Sequence, residues 1–261
     1  MGTGVEMDYR PLGSCGISCS RLAWGAFKIG RDEGTKFPDG YTIPSEDDAI
    51  ATVHEMLDLG ITFIDTAPSY GLSEARLGRA LADRREDVVL ATKVGEQFID
   101  GRSHHDFSST AAVKSLHESL RRLGTDHVDL LLVHSDGDDR AILEDEEYIE
   151  TLRSFRSGGL TRAIGFSGKT TEGNRRALDW SDAIMVEYHL DDRSHEPVIT
   201  EAADRGVGVI VKKALRSGHL PAANALEFLF HDSPVADGIT SVMVGSLSGD
   251  RMRENAAVLR Q

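Results

Sequence analysis

Eight times along the chain a short apolar run gives way to a segment with helical spacing, and this alternation constrains the fold more than any other feature. The runs are LAWG (22–25), ITFID (61–65), VVLATK (88–93), HVDLLLVH (127–134), AIGFS (163–167), AIMVEY (183–188), VGVIVKK (207–213) and TSVMVG (240–245). Most are apolar on successive residues, the pattern of strands buried on both faces of a parallel sheet. Between them, Ile50, Val53, Met56 and Leu57, and later Val113, Leu116, Leu120 and Leu123, recur at helix spacing. Ser45, with Asp48 three residues on, predicts a helix start; Gly158-Gly159 and Gly206 predict helix ends. Eight βα units in 261 residues fit one closed (β/α)8 TIM barrel, which typically takes roughly 250 residues. The opening YRPLGSCGISCSRL (9–22) predicts an N-terminal β-hairpin, and 27–44 predicts a loop. A doubly wound open sheet is the competitor, but no G-x-G-x-x-G follows the first run. No linker divides the chain, so residues 1–261 are expected to form a single domain.

Acidic residues outnumber basic ones, 43 to 29, for a formal charge of −14. That balance argues against nucleic acid or an anionic membrane as the main partner and leaves a small molecule as the expected one. No apolar run approaches the roughly 20 residues of a membrane span. The first residues, MGTGVEMDYR, lack a basic stretch followed by an apolar one, so a cytoplasmic location is expected. Cys15 and Cys19 are too few for a disulfide scaffold and too lonely for a zinc site; whether they pair is left open. His104-His105 lacks partnering ligands, and DGDD (136–139) lacks calcium-loop spacing and predicts a solvated turn. No metal is expected.

Several runs end in a titratable residue: Asp65, Lys93, His134, Glu187 and Lys212-Lys213. In a barrel the C-terminal strand ends build the active site, so these residues are expected on one rim, with Tyr70 just beyond Asp65. Singly, each could be a capping or solvated residue. Together they suit proton transfer to or from an oxygen while a hydride moves at carbon. Lys93 is expected to draw the Tyr70 phenol, ordinarily near pKa ~10, down toward working pH. Asp65 would orient Lys93, and His134 would hydrogen-bond a substrate oxygen.

FIDTAPSYGLSEARLGRAL (63–81), VVLATKVG (88–95), SLRRLGTDHVDLLLVH (119–134) and GLTRAIGFS (159–167) resemble the aldo-keto reductases, over about residues 8–259. The resemblance implies a (β/α)8 barrel that binds NADPH/NADP+ without a Rossmann domain and reduces an aldehyde or ketone to an alcohol. It implies Tyr70 as general acid, Lys93 and Asp65 as the groups that tune it, and His134 as the residue that orients the carbonyl. Phe27 matches an aromatic lining the substrate pocket, and Ser167 a residue that hydrogen-bonds the carboxamide. Ser246, Ser248 and Arg251 would face the 2′-phosphate, and Glu254 and Asn255 the adenine. An arginine near a helix N-terminus suits a phosphate.

The sequence departs from the family at four places. Gly168 stands where an asparagine is usual, Met185 where a glutamine is frequent, and Gly245 where many members have a basic residue. Lys212-Lys213-Ala214-Leu215 replaces an aromatic residue followed by Ser-Pro-Leu. One of the two lysines, since only one can face inward, is expected to reach a cofactor phosphate. The chain stops close to its last helix, so an open site is expected, with 27–44 and 94–108 as its wall. Two alternatives remain: a Schiff-base aldolase or isomerase using Lys93 or Lys212, and a non-catalytic NADPH-binding sensor. Trp24 is expected near the rim.

Overall fold

The computed structural model describes residues 7–35, 37–38 and 40–260. The opening residues 1–6, read above for a leader, lie outside the described residues, as do two positions of the 27–44 loop. A hairpin of β1 (Tyr9–Pro11) and β2 (Ser18–Ser20) comes first. The barrel begins with β3 (Leu22–Gly25), β4 (Phe63–Asp65) and β5 (Val89–Val94). An inserted hairpin of β6 (Glu96–Ile99) and β7 (Arg102–His105) follows. The barrel then continues with β8 (Val128–His134), β9 (Thr161–Ser167), β10 (Ala183–Glu187), β11 (Gly208–Lys212) and β12 (Ser241–Val244). The eight barrel strands are parallel, neighbour one another in chain order, and close when β12 pairs with β3. This is the (β/α)8 barrel with an N-terminal hairpin that the alternation predicts.

The helical layer comprises α1 (Glu46–Asp58), α2 (Ser73–Ala80), α3 (Ser109–Leu123), α4 (Asp139–Glu144), α5 (Glu146–Ser157), α6 (Thr171–Ala177), α7 (Glu196–Asp204), α8 (Ala222–Glu227) and α9 (Gly249–Ala257). Their starts follow capping chemistry. Ser45 Oγ accepts from the Asp48 amide (3.2 Å), and Ser108 Oγ from that of Ala111 (3.2 Å). The apolar stripe of α3 is Ala112, Leu116, Leu120 and Leu123; Val113 is 41% exposed, because it lies one residue and about 100° round the helix from Ala112.

Two cores result. Outward-facing strand residues pack against the helices, while Ala23, Phe63, Ala91, Leu130, Leu132, Ala163, Met185 and Ile210 fill the barrel. The N-terminal hairpin plugs its lower end with Leu12, Ile17 and Cys19. Gly13 makes this possible: it has φ +56, and a Cβ there would lie 2.4 Å from the Gly206 carbonyl oxygen. Cys15 and Cys19 are both free thiols.

The acidic turn at 136–139 departs from expectation. Asp139 is buried at the start of α4 and accepts from the amides of Lys169 and Thr170 (3.0 and 2.7 Å) and from the hydroxyls of Ser135 and Thr170. A buried carboxylate is tolerated there because donors surround it, and it ties the β8 loop to the β9 loop. The 94–108 segment forms the β6–β7 hairpin, which reaches over the barrel mouth to His134 and Arg31.

Candidate active site

Inward and outward side chains alternate along each strand, and register decides which inward residues share a level. Gly25 is opposite Asp65, His134 opposite Ser167, and Glu187 opposite Lys212. Elsewhere the register steps on by two: Asp65 is level with Ala91, Lys93 with Leu132, Gly165 with Ala183 and Ile210 with Ser241. The last inward positions therefore ring the C-terminal mouth as Gly25, Asp65, Lys93, His134, Ser167, Glu187, Lys212 and Gly245. The four steps together make the eight-residue stagger of this barrel class. The titratable strand ends do share one rim.

Tyr70 ends a short 3-10 turn, Pro68–Tyr70, beyond β4. Lys93 Nζ donates to Asp65 Oδ1 (2.6 Å), to the Thr66 carbonyl (2.8 Å) and to Tyr70 Oη (3.2 Å). Burial works against the Lys93 charge, but Asp65 and Tyr70 outweigh it and its pKa stands above the ordinary lysine value. For Tyr70, burial pushes the phenol up to about 12; Lys93 opposes the rise and Asp65 adds to it. The expected fall toward neutral pH is thus reversed, because desolvation and a carboxylate outweigh one ammonium. The phenol is held protonated at neutral pH, the form that can donate.

The start of α2 fixes this cluster. Ser73 Oγ donates to the Ala26 carbonyl (2.9 Å) and shares a hydrogen bond with Thr66 Oγ1 (2.8 Å). The buried Glu74 carboxylate accepts from Thr92 Oγ1 (2.6 Å) and Arg122 Nε (2.7 Å), and Arg76 Nη1 donates to the Ile29 carbonyl (2.6 Å). Sequence reasoning took Ser73–Leu81 simply as a helix. The missed signal was a Ser-Glu-x-Arg set on a helix whose inward face has few large apolar residues.

His134 faces Tyr70 edge-on, with ring centroids 6.3 Å apart. Its Nδ1 lies 2.7 Å from Glu96 Oε2, close enough for an ion pair but not aligned as a linear hydrogen bond. Burial lowers the His134 pKa; the Lys93 and Lys212 charges lower it further, while Glu96 resists. Burial also works against the Glu96 charge, but His134, Ser103 and Ser69 outweigh it and hold the carboxylate well below its usual range. Sequence reasoning missed Glu96, because its place depends on the inserted hairpin folding back across the mouth. The same hairpin brings Phe98 beneath the Arg31 guanidinium (3.3 Å), and Arg31 also stacks on Phe27 (5.4 Å). Phe27 meets Tyr70 edge-on at 5.1 Å, so an aromatic wall stands beside the phenol.

On the opposite side, Lys212 turns inward and Lys213 outward. Lys212 Nζ donates to Ser167 Oγ (2.9 Å) and the Gly168 carbonyl (2.8 Å), while Lys213 pairs with Glu187. Burial pushes Lys212 down to about 7, helped by the Lys213 and Lys93 charges and resisted by Glu187 and Asp139. Gly168 has no room for a side chain: a Cβ would lie 2.7 Å from both Asn174 Oδ1 and a Phe166 ring carbon. Met185 is buried in the barrel one level below the mouth.

Gly25 and Gly245 are neighbours where β12 meets β3, leaving the ring open; a Cβ at Gly245 would come only within 3.4 Å of the Gly25 carbonyl oxygen. Beside this gap, Ser246 Oγ accepts from the Ser248 amide (3.1 Å), and Ser248 Oγ caps α9 by accepting from the Arg251 amide (3.3 Å). Arg251 lies exposed in the first turn of α9, and Lys28 close enough for its pKa to be lowered, by burial first and then by Arg251. Neither cation forms an ion pair with a described residue. Glu254 is exposed, whereas Asn255 is buried and donates to Met252 Sδ (3.8 Å). Trp24, one residue before the end of β3 and so near the rim as expected, is fully buried against the helix layer, and its Nε1 donates to the Ser246 carbonyl (2.8 Å).

The Aldo/keto reductase family model matches residues 22–236. The chain belongs to the aldo-keto reductase family. L-galactose dehydrogenase of Arabidopsis thaliana is 34% identical over 228 residues, which cover 83% of this chain and 68% of that protein. An NADH-specific methylglyoxal reductase of Escherichia coli is 30% identical over 226 residues, 80% of this chain and 68% of its own. A Pseudomonas aeruginosa structure described as an aldo-keto reductase superposes with a TM-score of 0.87 at 43% identity, covering 96% of this chain and 94% of that one. An aldo-keto reductase from Bacillus halodurans in its holo form gives 0.82 at 28% identity, covering 98% and 92%. The protein is therefore an oxidoreductase of a family that acts on carbonyls with nicotinamide cofactors. No helix among the described residues is long and apolar enough to cross a membrane.

Proposed function

We propose that the chain, acting as a single domain in a reducing compartment such as the cytoplasm, reduces an aldehyde or ketone to an alcohol with NADPH. The observation that carries this reading is the buried Lys93, bonded at once to Asp65 and to Tyr70, whose ring meets that of His134 edge-on. When bound, the nicotinamide would supply a hydride to the carbonyl carbon. Tyr70 donates its proton to the carbonyl oxygen. Lys93 stabilises the phenolate left behind, and Asp65 keeps Lys93 charged and oriented. His134 directs the carbonyl oxygen toward Tyr70, and Phe27 lines the pocket beside it.

The residues fit a dinucleotide. The Gly25–Gly245 gap opens beside the N-terminus of the nine-residue helix α9, with Arg251 and Lys28 close by, neither in an ion pair with a described residue. Ser167 and Lys212 would hold the carboxamide end, and Gly245 would leave room for the pyrophosphate. Ser246, Ser248, Arg251 and Lys28 would face the phosphates, with Glu254 and Asn255 toward the adenine. Arg251 and Lys28 favour NADPH. The E. coli relative named as NADH-specific makes the choice worth measuring. Titration with each cofactor is expected to show NADPH bound at least about tenfold tighter than NADH, with Arg251→Ala narrowing the gap. Binding of neither would overturn the reading.

A Schiff-base aldolase has one observation in its favour: Lys212, with no carboxylate partner among the described residues and its pKa brought down to about 7, is a competent amine nucleophile. Lys93 is not, being held charged by Asp65. Borohydride trapping with a carbonyl substrate tests this, and an adduct on Lys212 with no cofactor-dependent turnover would favour it. Multiple turnover of NADPH with an aldehyde would dismiss a non-catalytic sensor.

A further inference from the structure

The mouth ring holds two lysines, and their surroundings differ. Lys93 is matched by Asp65 at 2.6 Å. Lys212 has no carboxylate within ion-pair distance among the described residues; it bonds only the neutral Ser167 hydroxyl and the Gly168 carbonyl. Glu187, its neighbour on β10, turns to Lys213 instead. Lys213 leaves the strand direction with φ +54, which carries its ammonium outward and Glu187 with it. The result is an unmatched cation on the inner face of the mouth, in contact with the serine proposed above for the carboxamide.

The two redox forms of a nicotinamide dinucleotide share their phosphates, riboses and adenine. They differ at one ring, which carries a positive charge when oxidised and none when reduced. A cation beside the phosphates acts on both forms alike. A cation beside the nicotinamide repels one form and not the other.

We propose that the Lys212 ammonium sets the redox preference of the cofactor site, so that the reduced dinucleotide binds more tightly than the oxidised one. The inference rests on the nicotinamide reading above. It gives Lys212 a different task from a phosphate anchor and biases the site toward carbonyl reduction, since the spent cofactor leaves more easily than the fresh one. The charged and titratable groups around Lys212 are Lys213 just beyond the end of its own strand, Glu187 on β10, Lys93 on β5, His134 on β8, Asp139 at the start of α4 and His195 before α7. Burial and the neighbouring lysines bring Lys212 to about 7. It is therefore charged at pH 6 and largely neutral at pH 8.5, and the preference weakens as pH rises.

Equilibrium titration calorimetry of the full chain, without carbonyl substrate, tests this with NADPH against NADP+ and with NADH against NAD+. Within each pair the phosphates cancel from the ratio of dissociation constants. At pH 6 the oxidised-to-reduced ratio is expected to be at least about tenfold larger in the wild type than in Lys212→Gln, which keeps a donor for Ser167 without the charge. By pH 8.5 the wild-type ratio should approach that of the variant, whose own ratio should change little. Lys212→Met supplies the same comparison if the glutamine variant does not fold. Equal ratios in the wild type and the variants would overturn the proposal. Equal weakening of both redox forms would overturn it too and mark Lys212 as a phosphate anchor. A wild type that binds no dinucleotide would instead bring down the cofactor reading itself, and this inference with it.

Discussion

Glu96→Gln is expected to shift the pH profile of carbonyl reduction rather than abolish activity. The Glu96 carboxylate stands 2.7 Å from His134 Nδ1 and is what resists the fall of that histidine's pKa. A neutral ring with its proton toward Glu96 presents a bare Nε2 to the substrate, which cannot donate to a carbonyl; an imidazolium can. His134 already titrates below the ordinary 6.5, so the donating form is present at low pH and lost as pH rises. A hydrogen bond to a charged partner is worth about 1.5–3 kcal/mol. The contact is not linear, and the two side chains are 21% and 14% exposed, so the lower end applies, about one pKa unit at 1.36 kcal/mol per unit. The alkaline limb of kcat/KM for reduction should move about one pH unit lower, a roughly tenfold loss at any pH above it. Thermal stability should change little, because Glu96 sits on an inserted hairpin outside the barrel core. The assay is kcat/KM for a neutral aldehyde from pH 5 to 8 in both proteins. Superimposable profiles would refute the reasoning.

Lys93→Met should cost both activity and stability, because it leaves the buried Asp65 charge unpaired. Breaking such a pair costs about 3–5 kcal/mol, on the order of 10 °C in melting temperature for a chain of this size, as calorimetry or circular dichroism would show. Gly168→Asn, which restores the residue usual in the family, should destabilise by about 1–3 kcal/mol through overpacking, because the new Cβ meets Asn174 Oδ1 and Phe166 at 2.7 Å. A denaturant midpoint equal to the wild type's would count against that packing argument.

The barrel was legible because its information is local and periodic. Unbroken apolar runs mark strands covered on both faces, and a titratable residue at the end of several runs marks the rim. Asp65, Lys93 and His134 group together from sequence alone, since the order of the strands and their shared C-terminal rim follow once the barrel is assumed. What escaped depends on chains folding back. Glu96 reaches His134 only through the β6–β7 hairpin, whose short strands, Glu-Gln-Phe-Ile and Arg-Ser-His-His, carry no strand-like alternation of apolar side chains. Asp139 looked solvated because only one of its four donors, the Ser135 hydroxyl, is close in sequence; the other three come from Lys169 and Thr170 on the next barrel loop. The direction of the Tyr70 shift was misjudged because sequence gives the charged neighbours but not the depth of burial.

The most direct test of the central claim is carbonyl-dependent oxidation of NADPH by the wild type and by Tyr70→Phe, with cofactor binding measured on both. The account predicts multiple turnover with stoichiometric alcohol for the wild type. It predicts retained binding in the variant and a loss in kcat of the order expected for removing a general acid, about 10²–10⁴-fold. A phenylalanine variant that turns over at the wild-type rate, or a wild type that binds the cofactor and reduces no aldehyde or ketone, would contradict it.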